Sequence, residues 1–310
     1  MLKRTLYFGN PAYLSKHDNQ LVLRLPDVEK NKDLPASFKK DAQATVPIED
    51  IGFVILDNQQ IIITHGLIAA LLENNAAVIT CDQKHMPTGL LLPLESHTVQ
   101  NQRFRKQLEA SEPLKKNLWQ QTIQAKIRNQ AKLLSKRNIE IANMLHWAGE
   151  VKSGDTRNHE AQAAAYYWGR IFPQLPDFRR GREEQPPNNL LNYGYAILRA
   201  TVARALVSSG LLPTLGIHHH NKYNAYCLAD DIMEPYRPFV DEIVCRFVDL
   251  GSDFDILKTT IKRDLLQVPA IDVIIDGEKS PLMNAVHRTT ASLNRCFEGE
   301  SRNLIYPELK

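Results

Sequence analysis

The sequence predicts an α+β fold, with a small β-rich N-terminal domain over residues 1–98 and a larger, mainly α-helical domain over residues 99–310. One contrast and the composition carry this reading. Up to His97 the apolar residues come in short, often β-branched runs between turn formers; beyond it they recur at helical spacing over long stretches. A hydrophobic content of 43% across 310 residues supplies a true core and excludes a wholly disordered chain.

In the first domain, residues 20–25 and 51–56 read as short apolar strands. Ile61-Ile62-Ile63 is a β-branched strand ending at Thr64, which stands where a helix cap belongs. The helix follows over residues 65–73 and stops at Asn74-Asn75. Residues 78–81 and 89–94 are further strands, and the polar residues 30–43 a loop. In the second domain helices are expected at 100–110, 114–150, 159–171, 189–208, 228–248, 257–266 and 280–297. Within 114–150, Leu118, Ile123, Ile127, Leu133, Leu134 and Ile141 form an apolar stripe among basic residues. The polar residues 298–310 read as a tail, disordered or ordered on binding.

The formal net charge of +3 hides an uneven distribution. Basic residues crowd 101–140, among them Arg103, Arg105, Lys126, Arg128 and Lys132, and a second cluster is Arg170, Arg179, Arg180 and Arg182. A solvated helix face is the plainer reading and a polyanionic partner the sharper one. Cys81, Cys227, Cys245 and Cys296 form no CxxC pair, which argues against a structural zinc site or a disulfide framework and fits a reducing cytoplasm. The first residues show no signal peptide, and no window approaches a membrane span.

The chemistry concentrates in Gly216-Ile217-His218-His219-His220, followed by Asp230-Asp231-Ile232-Met233-Glu234. Imidazoles and carboxylates together suit a divalent cation such as Mg²⁺, Mn²⁺ or Zn²⁺. Asp231 and Glu234 are three apart and share one helical face. Spacing alone does not choose among the three histidines. Glu160 lies in the alanine-rich His159-Glu160-Ala161-Gln162-Ala163-Ala164-Ala165-Tyr166; by itself it is an ordinary helix former, and beside the downstream cluster it is a candidate third acid.

These segments, taken in order, resemble a known family. E-A-x-x-A-x-x-Y from Glu160, then L-N-Y-G-Y-A-x-L, G-I-H-H-H and L-A-D-D-I-M-E-P-Y-R-P are similar to the CRISPR-associated integrase, the catalytic subunit of the spacer-acquisition complex. K-R-T-L-Y-F-G-N-P-A-Y-L and P-I-E-D-I-G-F-V-I-L-D look like its type II branch. The resemblance implies that residues 1–98 serve dimerisation and partner binding and that residues 99–310 are catalytic. It implies metal ligands at Glu160, at His219 through the G-x-x-H pattern, and at Glu234, with Asp231 as a further acid used by many members. The implied cofactor is Mg²⁺ or Mn²⁺. The implied reaction joins the 3′-hydroxyl ends of captured double-stranded DNA to CRISPR repeat DNA by transesterification, with endonuclease activity alongside. No GxxxxGK[ST] loop is present, as expected where no nucleotide is hydrolysed. Arg103, Arg105, Lys126, Arg128, Lys132 and Arg180 are the candidate DNA contacts. The implied partners are a second copy of the chain, a small ferredoxin-like adaptation subunit and the type II RNA-guided effector nuclease. Two other classes use the same residues: a metal-dependent phosphoesterase on small substrates, and a non-catalytic DNA-binding assembly subunit.

Overall fold

The computed structural model describes the chain apart from residues 1, 2, 32, 34, 36–42, 182 and 183 and the side chains of residues 27 and 30. Most of the expected 30–43 loop, and Arg182, lie outside the described residues. The chain divides into two compact units, Met1–Ser96 and His97–Lys310.

The first unit carries two four-stranded sheets. One has the order β1 (Arg4–Phe8), β5 (Ile51–Leu56), β7 (Ala77–Cys81), β8 (Pro87–Leu91), parallel except for the last pair. β5 is buried on both faces, which is why it reads as an unbroken apolar run. The other sheet has the order β4 (Ala44–Pro47), β3 (Gln20–Arg24), β2 (Tyr13–His17), β6 (Ile62–Ile63). Asp18 and Asn19 join β2 to β3 with φ of 46° and 57°, the left-handed pair a tight hairpin turn demands and that Asp and Asn tolerate. A short helix α1 (Pro26–Lys30) follows β3, and α2 (His65–Glu73) packs Leu67, Ala70 and Leu71 into the core. Thr64 is the residue before α2, but its hydroxyl makes no capping bond; its carbonyl accepts from Leu67 and Ile68 instead. β1 and β2 escape the sequence reading because polar residues interrupt their short apolar patterns.

The second unit is mainly helical: α3 (Gln100–Leu108), α4 (Glu112–Lys136), α5 (Ala142–Glu150), α6 (His159–Trp168), α7 (Asn188–Ser208), α8 (Cys227–Met233), α9 (Arg237–Asp249), α10 (Thr259–Leu265) and α11 (Leu282–Glu298). The single helix expected over 114–150 is two. Asn138 turns left-handed at φ 58°, and Ile139 N–H bonds back to the Leu134 carbonyl, ending α4. The helix expected over 228–248 is also broken. Pro235 and Pro238 bring no N–H, and the chain passes through a 3₁₀ turn at Glu234–Tyr236 between α8 and α9. α7 is buried nearly all round, and a Cβ at Gly194 would fall 2.4 Å from Val240 Cγ1, so glycine there admits α9 at close range. A three-stranded sheet closes the unit, with β9 (Asp272–Ile275) between β10 (Glu278–Pro281) and β11 (Pro307–Glu308). The C-terminal residues are thus no loose tail: β11 pairs with β9, Leu309 is buried, and Asn129 bonds the backbone of Pro307 and Leu309. Among the described residues no helix is long and apolar enough to cross a membrane.

Candidate metal and phosphoryl-transfer centre

The centre is built on four segments of the second unit: the middle of α4, the first turn of α6, the 216–220 loop and the junction of α8 with α9. Each holds its side chain for a local reason.

Glu160 starts α6. Asp155, itself left-handed at φ 49°, accepts from the backbone N–H of His159 and of Glu160, each at 2.9 Å through a different oxygen. This carboxylate does the work of an N-cap, satisfying donors that have no partner within the helix and fixing the direction in which Glu160 leaves it.

Glu234 sits in the 3₁₀ turn and is buried, with its Oε1 2.9 Å from Arg237 Nε one turn on. Lys126, from the middle of α4, lies between the two acids: its Nζ is 2.6 Å from Glu160 Oε1 and 2.7 Å from Glu234 Oε2. Burial alone would push the Lys126 ammonium down, but Glu234 and Glu160 outweigh it and hold its pKa above the ordinary value. Burial would likewise raise the Glu234 carboxyl, and Arg237 and Lys126 hold it below the usual range. Glu234 is thus held as a carboxylate between two cations, Lys126 and Arg237.

His219 is oriented by Asp231. The Asp231 side chain is completely buried; it accepts the backbone N–H of His218 at 2.9 Å and of His219 at 3.3 Å, and it bonds His219 Nδ1. A donating Nδ1 leaves Nε2 as the lone-pair nitrogen, the arrangement of an imidazole held for ligation. The bond to Asp231 raises the His219 pKa. In this arrangement the Asp231 oxygens are engaged with the backbone N–H groups of His218 and His219 and with His219 Nδ1. His218 is instead stacked on buried Trp119, centroids 4.1 Å apart and planes within 3°, and burial lowers its pKa. His220 is exposed. Asp231 thus singles out His219, which spacing did not. The loop closes over Asp231 only because residue 216 is glycine: a Cβ there would lie 2.4 Å from the His219 carbonyl oxygen and 2.7 Å from Asp231 Oδ2.

Behind Glu234, Arg237 lies 4.6 Å from the centre of the Tyr195 ring, and the Tyr195 and Tyr167 hydroxyls both donate to buried Asp241. Sequence reasoning missed this network; Asp241 stands beside Glu242 in a helix with other charges, and nothing in the sequence marks it as the buried one. Burial raises the Asp241 pKa to about 6, above the ordinary 3.8. Folding therefore favours the protonated acid. Its contribution is fully present below about pH 4 and is lost as pH rises through about 6. Asp241→Asn is expected to flatten that part of the stability profile, as thermal melts across the range will read.

As the side chains stand, no group of three or more His, Cys, Asp or Glu among the described residues is placed to hold a metal ion. The Lys126 ammonium contacts both acids. The donor set nonetheless fits a hard divalent cation: two carboxylates already share a positive charge, and the imidazole is presented by a buried acid.

The candidate DNA contacts fall into two groups. Arg105, Arg128 and Lys132 are exposed. Arg103, Arg180 and Lys126 are committed within the unit. Arg103 reaches Glu298 at 3.4 Å and the Ser209 carbonyl at 2.9 Å, and Arg180 donates to Asn188 and Asn192. Beside His219 opens a cleft lined also by Gly216, Lys115, Lys222 and Asn224.

Fold and site together define an α+β protein whose helical unit brings Glu160, Glu234 and Lys126 into contact, with His219 held by Asp231 on the loop over residues 216–220. The model of the family "CRISPR associated protein Cas1" matches residues 6–256. The CRISPR-associated endonuclease Cas1 of Neisseria meningitidis serogroup C is 37% identical over 312 residues, covering 100% of this chain and 97% of that protein. The chain belongs to the Cas1 family. Among solved structures, a casposase bound to integration product superposes with a TM-score of 0.75 at 22% identity, over 98% of this chain and 92% of that one. A Cas6-RT-Cas1–Cas2 complex gives 0.73 at 20% identity, over 99% of this chain but 36% of the larger one. At these identities the two structures speak for the fold alone.

Proposed function

We propose that this chain is a metal-dependent DNA integrase of CRISPR adaptation, of the type II branch. The observation that carries the reading is the convergence of Glu160 and Glu234 on one cationic position, with His219 held by Asp231 as a third donor. The Neisseria relative, named an endonuclease, supports it.

Glu160, Glu234 and His219 Nε2 would hold Mg²⁺ or Mn²⁺, which supplies Lewis-acid activation of a hydroxyl and charge stabilisation at phosphorus. The chain's own residues position that chemistry. Asp155 sets Glu160, Arg237 sets Glu234, and Asp231 sets the imidazole and its tautomer. The reaction is a direct exchange at phosphorus. The 3′-hydroxyl oxygen of a captured fragment forms the new P–O bond, the repeat's own P–O bond breaks, and the hydroxyl proton leaves with the departing 3′-oxygen. Water in place of the hydroxyl makes the same centre an endonuclease. The exposed Arg105, Arg128 and Lys132 hold phosphate, giving affinity with little sequence information. The first unit serves dimerisation and binding of the small ferredoxin-like subunit, with the type II effector nuclease supplying selected fragments.

The test is strand transfer from a 3′-hydroxyl duplex to a repeat-bearing plasmid. Product in Mg²⁺, loss on chelation with DNA binding retained, and return in Mn²⁺ are expected. Lack of DNA binding in a shift assay would point to a small-substrate phosphoesterase, and chelator-insensitive behaviour to an assembly subunit. Substituting Arg105, Arg128 or Lys132 by alanine should each reduce the slope of log affinity against log salt by about 1. Arg103→Ala should instead lower stability, because its guanidinium ties α3 to the ends of α7 and α11.

A further inference from the structure

A lysine buried between two carboxylates is a strong electrostatic statement. Lys126 side-chain exposure is 11% and that of Glu234 8%, so solvent screens this contact weakly. Arg237 already pairs with Glu234 through the other oxygen, Oε1. The ammonium of Lys126 is therefore the charge that reconciles Glu160 with Glu234, in the position a cation shared by the two acids would take. A divalent ion and this ammonium cannot occupy the same place between the same oxygens, and like charges at such separation repel.

We propose that Lys126 is an internal counter-ion that competes with the divalent metal, holding the acids together in the metal-free protein and leaving the Glu160–Glu234 gap when metal binds. This rests on the metal-centre reading given above. Lys126 is then a positioning residue with a defined cost to metal affinity. It stabilises the empty centre, where two bare buried carboxylates would repel, and it sets the metal concentration at which the centre loads. The flexible four-carbon stem of lysine allows the ammonium to swing aside, which a rigid guanidinium fork would do less readily.

The experiment is Mn²⁺ titration by calorimetry and by electron paramagnetic resonance of the full chain, with thermal melts in chelator and in Mn²⁺. Lys126→Met is expected to bind Mn²⁺ about tenfold more tightly than wild type, from removal of one competing charge. It should also melt lower than wild type in chelator and gain more from Mn²⁺. Lys126→Arg keeps the charge and should not tighten binding. Should Lys126→Met be folded only with Mn²⁺ present, that too is the expected direction, and Lys126→Gln provides the titration. Unchanged or weaker Mn²⁺ binding in both Lys126→Met and Lys126→Gln overturns the competition. The underlying centre is checked separately: Glu160→Ala must weaken Mn²⁺ binding, and if it does not, the metal-centre reading fails whatever Lys126 does.

Discussion

Glu160→Ala is expected to abolish strand transfer, by at least about 10³-fold in rate, while leaving the helical unit folded and DNA binding intact. The size follows from the place of Glu160. Among the described residues it is one of two carboxylates on the Lys126 ammonium, and the neighbouring acids are engaged elsewhere: Asp155 is bonded to the backbone of α6, and Asp231 to the 218–219 loop and His219. Stability should change little, because Glu160 is part-exposed at the start of its helix and its removal leaves Lys126 paired with Glu234. Plasmid strand transfer, filter binding and thermal melts on one preparation check all three. Undiminished product from the variant would remove Glu160 from the centre.

Asp231→Ala should do damage of another kind. The side chain is fully buried and satisfies two backbone N–H groups and one imidazole. Removing it strands those donors and frees His219 to rotate or change tautomer. Leaving buried polar groups unpaired costs on the order of 3 kcal/mol, and the oriented ligand is lost with it. A lowered melting temperature together with lost strand transfer is the expected pair of results. Asp231→Asn separates them: the amide oxygen still accepts a backbone N–H, so stability recovers in part, while an amide cannot stabilise the imidazole as a carboxylate does, and activity stays low. An Asn variant with full activity would show that the acid serves only the loop.

Much of this architecture was legible because its signals are local. The change of texture at His97, the apolar run of β5 and the ordered motifs each depend on short stretches of chain. What escaped is in part local and in part dependent on distant partners. The break after Lys136 rests on Asn138 adopting a left-handed turn, and the break at Glu234 on two prolines within an otherwise helical pattern. β11 and the buried Leu309 are invisible without β9 and Asn129.

The site divides in the same way. Residue types and motif order nominate Glu160, His219 and Glu234, and what sets His219 apart from its neighbours is its bond to Asp231 and the Trp119 stack on His218. Lys126 is the instructive case. Read as part of a basic stripe, it resembles Arg128 and Lys132, which are exposed. Yet it falls at helical spacing with Trp119, Ile123 and Gln130, all buried. A cation on the apolar side of its helix is a signal for a buried anionic partner, and Glu160 and Glu234 are those partners. Asp241, by contrast, needed Tyr167 and Tyr195 to be seen at all.

The central claim is that Glu160, His219 and Glu234 hold one catalytic cation. Anomalous scattering from crystals grown with Mn²⁺ measures it most directly. A peak bonded to both carboxylates and to His219 Nε2 is expected, with Asp231 still on Nδ1 and the Lys126 ammonium withdrawn from between the acids. A peak bound by other residues, or Mn²⁺-grown crystals with Lys126 still seated between Glu160 and Glu234 and no peak beside them, would contradict it.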